Sequence, residues 1–340
     1  MKKIISSITA FLFITVLNTV YAQKTAWHIL KTFHIASSGG WDYLAVGPLN
    51  KLYVSHGTQV NILNKDTGDS LGVIENTTGV HGIAFDKNNG KGYTSNGRLN
   101  NVFVFDLSSG KVITQIATGE NPDAILYEPF SKKIITCNGR SKDLSVIDPS
   151  TNKVIVTIPV GGKPETAVSN NEGKLYVNIE DKSEIVEVET KNFTVLHHWT
   201  VAPGEEPTGL AIDIKTHRLF AGCGNKQLIV MNAENGKIIA HPAIGDGCDG
   251  VAFDSNTKNI FASNGEGTLS IYNEETADQY NLVATVPTKR GARTIAVDEE
   301  THKIYLPTAE FEPTPATSVT EPKTRPKMKE GTFQVLVIGQ

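Results

Sequence analysis

The sequence predicts an all-β chain that closes into a seven-bladed β-propeller, with each blade a four-stranded antiparallel sheet. A unit of 39 to 44 residues recurs along the chain, and a period of that length is typical of propeller blades or helical repeats. Each unit consists of short apolar or alternating runs separated by turn residues, which is typical of strands. No segment has a sustained helical period with capping residues, which argues against a helical solenoid.

Seven units can be aligned on one apolar position of their first strand. A unit has an apolar first strand such as residues 82–86, a second strand with a basic or polar start such as 51–54, and an alternating third strand such as 101–106. A fourth, outer strand such as 111–116 follows a turn rich in Thr, Ser, Asn and Gly. Seven blades of this kind lie within the usual range for propellers. The aligned positions are Ala45, Ala84, Leu126, Val168, Ala211, Ala252 and Ala296.

The seventh unit lacks an outer strand of its own after its third strand. One strand near the carboxyl terminus, residues 333–338, and one near the amino terminus, residues 28–35, are left without partners. We expect these two strands to pair and complete the last blade, because closure removes the open sheet edges that favour aggregation.

The first 22 residues have the pattern of a secretory signal peptide. Lys2 and Lys3 precede an apolar run at 8–17, and Ala22 provides a small residue for cleavage. The run is too short to span a bilayer. We therefore expect a periplasmic or secreted protein without a membrane span, in which residues 23–340 form a single propeller.

Charge argues against a nucleic-acid partner. The formal net charge is −4 for the whole chain and becomes −6 when the leader is removed with its two lysines. A protein of this charge is not attracted to polyanions or to anionic membrane surfaces. Basic residues at 323–329 are an exception, and binding of a polyanion there is the least favoured hypothesis.

Two recurrent motifs carry a resemblance to a known family. Blade starts of the Gly-x-Pro type, as at 119–123 and 162–165, and Lys-x-Tyr-Val strands resemble the YVTN-type repeats of the YncE-like family. The segments 40–44, 80–84 and 305–311 are similar to a secreted branch of that family. The resemblance extends over the whole mature chain and implies the propeller fold and export, but it implies no catalytic residues.

Polar residues recur where the first strand of each blade enters the central channel. Six of the seven residues in this column are ionisable, and we call the column the mouth ring: Asp42, His81, Asp123, Glu165, Thr208, Asp249 and Arg293. A companion column at the end of the second strands is also mostly polar: His56, Asn96, Asn138, Ile179, Cys223, Asn264 and Thr308. The candidate ligand-binding residues are the six ionisable members of the mouth ring together with Asn96, Asn138, Glu206 and Glu310.

The mouth ring has two interpretations. It hydrates the channel and satisfies backbone groups, or it binds a ligand, because close carboxylates are costly unless a cation, a proton or a basic group offsets them. A divalent metal ion is a possible cofactor, with His81, Asp123 and Glu165 as the candidate ligands. A bound metal would activate water and permit hydrolysis of a lactone or ester.

Two further features leave alternatives open. Cys223 and Cys248 lie on the same face of neighbouring blades, so they form a disulfide, or all three cysteines are reduced. An insertion at 310–331, rich in proline, either covers the mouth as a lid or is a solvated loop.

The sequence thus favours an exported binding or scaffold protein of the cell envelope, whose partner is a small polar ligand or another envelope protein. The alternative is a metal-assisted, lactonase-like hydrolase acting on a small polar substrate. Motifs for covalent haem attachment, phosphate-binding loops and serine esterases are missing from the sequence. The residues alone do not decide between binding and catalysis.

Overall fold

Seven four-stranded antiparallel sheets form the fold, as the repeat predicts. The structure is a computed structural model and describes residues 26–312 and 327–340. The predicted signal peptide and most of the insertion at 310–331 lie outside the described residues. In six blades the sheet order follows the chain, with the innermost strand first.

The first four blades contain strands β2 to β17. Blade one has β2 (Trp41–Gly47), β3 (Lys51–His56), β4 (Gln59–Asn64) and β5 (Ser70–Ile74). Blade two has β6 (Val80–Asp86), β7 (Lys91–Asn96), β8 (Asn101–Asp106) and β9 (Val112–Ala117). Blade three has β10 (Pro122–Glu128), β11 (Lys133–Asn138), β12 (Asp143–Asp148) and β13 (Lys153–Pro159). Blade four has β14 (Pro164–Ser169), β15 (Lys174–Ile179), β16 (Glu184–Glu189) and β17 (Thr194–Thr200).

The last three blades contain the remaining strands and include both ends of the described chain. Blade five has β18 (Pro207–Asp213), β19 (Arg218–Cys223), β20 (Gln227–Asn232) and β21 (Ile238–Ala240). Blade six has β22 (Cys248–Asp254), β23 (Asn259–Asn264), β24 (Thr268–Thr276) and β25 (Gln279–Pro287). Blade seven has β26 (Ala296–Asp298), β27 (Lys303–Thr308), β28 (Gln334–Gly339) and β1 (His28–His34).

In the described part of the chain, helical structure is limited to three short 3-10 turns: Lys87–Asn89, Gly97–Leu99 and Glu180–Lys182. Within 26–312 and 327–340, no helix has the length and apolarity needed to cross a bilayer.

The two termini close the propeller. β1 pairs antiparallel with β28, from His28 opposite Gly339 to His34 opposite Gln334, and supplies the outer strand of blade seven. This confirms the pairing predicted from the two unpartnered segments. Closure in this way ties the first residues of the fold to the last.

A bulge recurs at the start of the innermost strands. In β2, Trp41 pairs with His56 and Leu44 with Val54, so the inner strand has one extra residue over that interval. The same one-residue excess occurs in β6, β10, β14, β18 and β22. A bulge re-aims the side chains that it contains. Each of these six bulges contains a member of the mouth ring.

Basic residues at the start of the second strands link neighbouring blades. Lys51 donates to the Leu107 carbonyl oxygen at 2.7 Å, Lys91 to that of Pro149 at 2.8 Å and Arg218 to that of Ala277 at 2.9 Å. In each case the acceptor lies in the turn after the third strand of the next blade, or at its edge. The basic start that marks the repeat therefore has a structural role, and apolar residues of adjacent blades fill the space between the sheets.

The three cysteines, Cys137, Cys223 and Cys248, are buried free thiols. The structure thus takes the second of the two alternatives, and the Cys223–Cys248 disulfide is absent from it. The Cys223 thiol donates to the Ala221 carbonyl oxygen and the Cys248 thiol to that of Gly250, each within its own strand.

A buried ion pair joins blade one to blade seven near the closure. Lys65 Nζ lies 2.6 Å from Asp298 Oδ2, and the two side chains are 8% and 5% exposed. Asp298 Oδ2 also accepts a hydrogen bond from Thr301 Oγ1 at 2.6 Å. The bond from Lys65 and the lysine charge lower the pKa of Asp298 below its usual range, against the opposing effect of burial. Asp298 is therefore ionised at neutral pH and depends on Lys65 for charge compensation.

We predict that Lys65→Met lowers the free energy of unfolding by about 3 kcal/mol, because it leaves a buried carboxylate without its cation. Urea denaturation at pH 7 measures the change, with Lys153→Met on the exposed side of β13 as the matched control. Addition of Asp298→Asn to Lys65→Met should restore part of the loss. Equal midpoints for Lys65→Met and Lys153→Met would show that the pair does not stabilise the closure.

Candidate functional site

The mouth ring forms at one end of the channel. Its first six members each occupy the second position of an innermost strand, inside the recurrent bulge. Arg293 precedes β26, which begins only at Ala296. The column that was read from the sequence therefore occupies equivalent positions in the blades, and five of its seven side chains contact one another across blade boundaries.

Charged contacts run through five consecutive blades. Arg293 of blade seven binds Asp249 of blade six, with Nη1 to Oδ2 at 2.8 Å, and Asp42 of blade one, with Nη2 to Oδ1 at 3.3 Å. The other oxygen of Asp42 lies 2.6 Å from His81 Nδ1 in blade two. The same Nδ1 is 3.7 Å from Asp123 Oδ1 in blade three. Two cations thus alternate with three carboxylates around more than half of the ring.

Blade four contributes a separate ion pair. Glu165 Oε1 lies 2.6 Å from Lys163 Nζ, which also contacts Glu180. In blade five, Thr208 has no charge to contribute, and its hydroxyl donates to the Cys248 carbonyl oxygen at 2.8 Å. The run of charged side chains is therefore interrupted at Thr208, whose hydroxyl forms a hydrogen bond with the backbone.

Burial and mutual repulsion disturb the acids of the ring. Burial, followed by the charge of Asp42, raises the pKa of Asp123, and burial, followed by the charge of Asp123, raises the pKa of Glu165. Burial also raises the pKa of Asp249 to about 6, although the adjacent Arg293 opposes the shift. These carboxyl groups hold their protons at a higher pH than exposed acids do.

His81 is shifted in the direction that favours its charged form. Burial alone would lower the pKa of His81, but the hydrogen bond to Asp42 and the charges of Asp123 and Asp42 outweigh burial and raise it to about 9. His81 is therefore an imidazolium at neutral pH. Both of its ring nitrogens are then donors, and Nδ1 is engaged by Asp42.

Tyr43 lies beside these acids, although sequence reasoning did not select it. Burial, together with the charges of Asp123, Asp42, Glu165 and Asp249, raises the pKa of the phenol well above its usual range. Strict alternation along β2 would turn Tyr43 away from the side that Asp42 occupies. The bulge between Trp41 and Leu44 breaks that alternation, and it has no clear signature in a single sequence.

Side chains of the second strands hold the backbone of the ring. The Ser95 hydroxyl donates to the Asp123 carbonyl oxygen in the next blade, Asn178 Nδ2 to that of Thr208 at 3.1 Å, and the Ser263 hydroxyl to that of Arg293 at 2.5 Å. These bonds join neighbouring blades and hold the backbone of the ring residues in place. Small polar residues near the end of the second strands therefore stabilise the position of the mouth ring.

The amides of the companion column belong to the sheet. Asn138 is fully buried, and its Nδ2 donates to Asp143 Oδ1 at 2.7 Å and to Ser145 Oγ at 2.8 Å. Asn96 is also buried and donates to Asn101 Oδ1 at 3.1 Å. Both amides therefore form hydrogen bonds within their own hairpins, and their role as ligand-binding residues stays a prediction.

Two acids on the loops of this face stand apart from the ring. Glu206 precedes β18 and is exposed. Glu310 is also exposed and lies 3.6 Å from Lys289 Nζ. Neither borders the cavity described below, so the structure does not bring these two candidates together with the mouth ring.

The described ends of the insertion lie near the mouth. Phe311 forms an antiparallel bridge with Met328, and its ring centroid is 6.1 Å from that of Trp41. The proline-rich part between them falls outside the described residues, so the lid hypothesis stays a prediction.

One group of side chains has the spacing of metal ligands. One atom each of Asp42, His81 and Asp123 lies within 4.8 Å of the other two. Asp123 Oδ1 is buried and has no hydrogen-bond partner in the described chain. The expected set contained Glu165 in place of Asp42, but Glu165 is not in this group and pairs with Lys163. Two carboxylates and an imidazole suit a divalent ion chemically, although His81 must lose a proton to bind one through Nδ1.

A cavity of about 610 Å³ opens above the ring. We call it the mouth cavity, and its described lining residues include Trp41, Asp42, His81, Asn121 and Arg293. A cavity of similar size, about 620 Å³, lies at the other end of β2 beside the Lys65–Asp298 pair. Two residues of the mouth ring whose pKa values are raised, His81 and Arg293, line the mouth cavity together with Asp42, and shifted ionisable groups beside a cavity are typical of functional sites.

Comparison with known structures supports the fold. A chain of hydrazine synthase from Kuenenia stuttgartiensis superposes with a TM-score of 0.71 over 80% of this chain and 94% of that chain. The two sequences are 14% identical, so the similarity concerns the fold alone. No curated protein sequence matches the chain significantly.

A family model assigns the sequence. The model described as outer membrane protein assembly factor BamB matches residues 98–302, which is more than half of the chain and runs from blade two into blade seven. The chain belongs to the family of the outer membrane protein assembly factor BamB.

Proposed function

We propose that this chain is an exported binding protein of the cell envelope, of the YncE-like kind, whose channel mouth holds a small polar ligand. Membership in the BamB family and the leader-like pattern at residues 1–22 support an envelope location. Propellers of this type are commonly scaffold or binding proteins. The proposal is specific in placing the binding site at the mouth ring.

The observation that carries the proposal is the run of charged contacts from Asp249 through Arg293, Asp42 and His81 to Asp123. Five blades each supply one charged residue to this run. Packing of the blades does not require charges here, since Thr208 occupies the same position in blade five and bonds the backbone. Burial of several carboxylates is costly, and a site that tolerates this cost next to an open cavity is arranged for recognition.

The geometry favours binding over turnover. His81 is the obvious candidate for a general base, but its pKa of about 9 makes it a cation at neutral pH. A protonated imidazole donates hydrogen bonds and cannot accept a proton from water or substrate. Asp42 is held by both His81 and Arg293, which leaves it poorly placed to attack a substrate. The groups are thus pre-organised as fixed partners for a ligand.

We predict that a ligand of the mouth raises the free energy of unfolding of the mature protein by about 2.7 kcal/mol at roughly 100 times its dissociation constant. Thermal denaturation with glucose, choline, succinate, citrate and glycerol 3-phosphate, each tested separately, measures the effect. His81→Gln should abolish the stabilisation, because it removes the cation between Asp42 and Asp123. Lys87→Gln, beside the cavity on the opposite face, is the matched control and should retain it.

Two results would contradict binding at the mouth. One is stabilisation by a ligand that is lost in Lys87→Gln and kept in His81→Gln, which would move the site to the opposite face. The other is the lack of any stabilising ligand among neutral, cationic and anionic compounds.

The spacing of Asp42, His81 and Asp123 favours a second candidate, a metal-assisted hydrolase of the lactonase type. In that case the two carboxylates and the imidazole would hold the ion, and the ion would polarise a carbonyl and activate water. The sequence-based set with Glu165 would place the ion nearer to blade four. The two sets can be separated by substitution.

We predict that the mature protein, purified at pH 7 without added metal, contains far less than one divalent ion per chain, because a proton occupies His81. Elemental analysis by mass spectrometry tests this, with Asp123→Ala and Glu165→Ala measured beside the unmodified protein. About one ion per chain that Asp123→Ala loses and Glu165→Ala keeps would contradict the prediction, assign the ion to Asp42, His81 and Asp123, and favour the hydrolase. Loss in both variants would favour the set with Glu165.

A further inference from the structure

Three arginines border the mouth cavity. Arg293 belongs to the mouth ring, whereas Arg98 lies in the short 3-10 turn between β7 and β8 and Arg140 in the turn between β11 and β12. Arg98 and Arg140 are exposed. Within the described part of the chain, neither guanidinium lies within ion-pair distance of a carboxylate, whereas Arg293 binds two. Two arginines are therefore available to a ligand.

The charge around the mouth cavity is positive. Among its described lining residues the only carboxylate is Asp42, which His81 and Arg293 already neutralise from two sides. His81 Nε2 has no hydrogen-bond acceptor in the described chain, and in the imidazolium it carries a proton. The buried acids Asp123 and Glu165 are not part of the lining. An anion in this cavity would meet Arg98 and Arg140 without first having to displace a carboxylate from them.

The walls of the cavity suit an organic molecule. Gly39, Gly40, Gly57 and Gly79 contribute backbone without side chains, and a Cβ atom added at Gly40 would meet no atom within 4 Å. Trp41 adds an indole, which offers a flat apolar surface. A cavity of about 610 Å³ is also within the range typical of sites for small molecules.

We propose that the ligand of the mouth cavity is a small organic anion whose carboxylate or phosphate group is bound by Arg98 and Arg140. Guanidinium groups form two parallel hydrogen bonds with either kind of anion, and these are among the strong hydrogen bonds of proteins. The inference rests on the proposed function, because it names the ligand class of the same site. Carbon-containing parts of the ligand would lie against Trp41 and the glycine backbone.

Isothermal titration calorimetry of the mature protein tests this inference with succinate, citrate and glycerol 3-phosphate as organic anions. Inorganic phosphate measures the anionic group alone, and glucose and choline are the neutral and cationic probes. Arg98→Gln and Arg140→Gln should each weaken binding of the preferred organic anion roughly tenfold, as expected for loss of a charge-assisted hydrogen bond. Arg290→Gln removes an exposed arginine that does not line the cavity and serves as the matched control. It should leave the affinity within about twofold of the unmodified protein, because its side chain is not part of the cavity lining.

The outcomes separate the class of ligand from the existence of the site. Preference for succinate and citrate identifies a carboxylate ligand, and preference for glycerol 3-phosphate identifies a phosphate ester. Glucose or choline binding that His81→Gln abolishes, without binding of any anion, would overturn the anion class and leave the proposed function intact. Equal affinity for an anion in Arg98→Gln, Arg140→Gln and Arg290→Gln would also overturn it. Absence of binding by every probe would contradict the proposed function itself.

Discussion

One extra residue at the start of six of the seven innermost strands determines the character of this propeller. The bulge between Trp41 and Leu44, and its counterparts in five other blades, lies where neighbouring blades come closest to the channel axis. It turns Asp42, His81 and their equivalents into the channel mouth, and hydrogen bonds from the preceding blade, such as that of Ser95 to the Asp123 carbonyl oxygen, hold the turned backbone. Without the bulge, strict alternation would distribute these side chains between the faces of the blades.

Convergence of the strands then produces the electrostatics. The strands bring several acids together in a buried environment, and burial and mutual repulsion raise the pKa of Asp123 and of Glu165. The hydrogen bond to Asp42 and the nearby negative charges raise the pKa of His81 against the effect of burial. The imidazolium of His81 adds stability that is present below its ordinary pKa of 6.5 and is lost as the pH rises through about 9. The ring acids act in the same sense, because ionisation of a carboxyl with a raised pKa opposes folding. The contribution of these groups to stability therefore falls as the pH rises from the range in which exposed carboxyl groups titrate to about 9.

The sequence predicts the architecture well because the blade is a local unit. Each strand has its own apolar pattern, and the unpartnered segments at the two ends leave β1 and β28 as the natural pair. The mouth ring could also be predicted, since one column of the repeat contains it.

Contacts between blades could not be predicted from the sequence. Whether Asn138 faces a ligand or its own hairpin depends on rotamers, and the positions of Tyr43 and Arg98 depend on a bulge and on a turn that repeat patterns do not specify. The choice between Asp42 and Glu165 as a neighbour of Asp123 is likewise a matter of blade geometry.

The protonation of His81 tests the account most directly, because it depends on Asp42 and Asp123 approaching the same imidazole from two blades. Long-range nitrogen–proton NMR spectra of the mature protein, recorded from pH 5 to pH 10, report the charge of each histidine, and His81→Gln assigns the signal. We predict that His81 has both ring nitrogens protonated at pH 7 and titrates near pH 9. A neutral His81 at pH 7, with an ordinary titration near pH 6.5, would mean that the charges do not converge and that the mouth is not the site described.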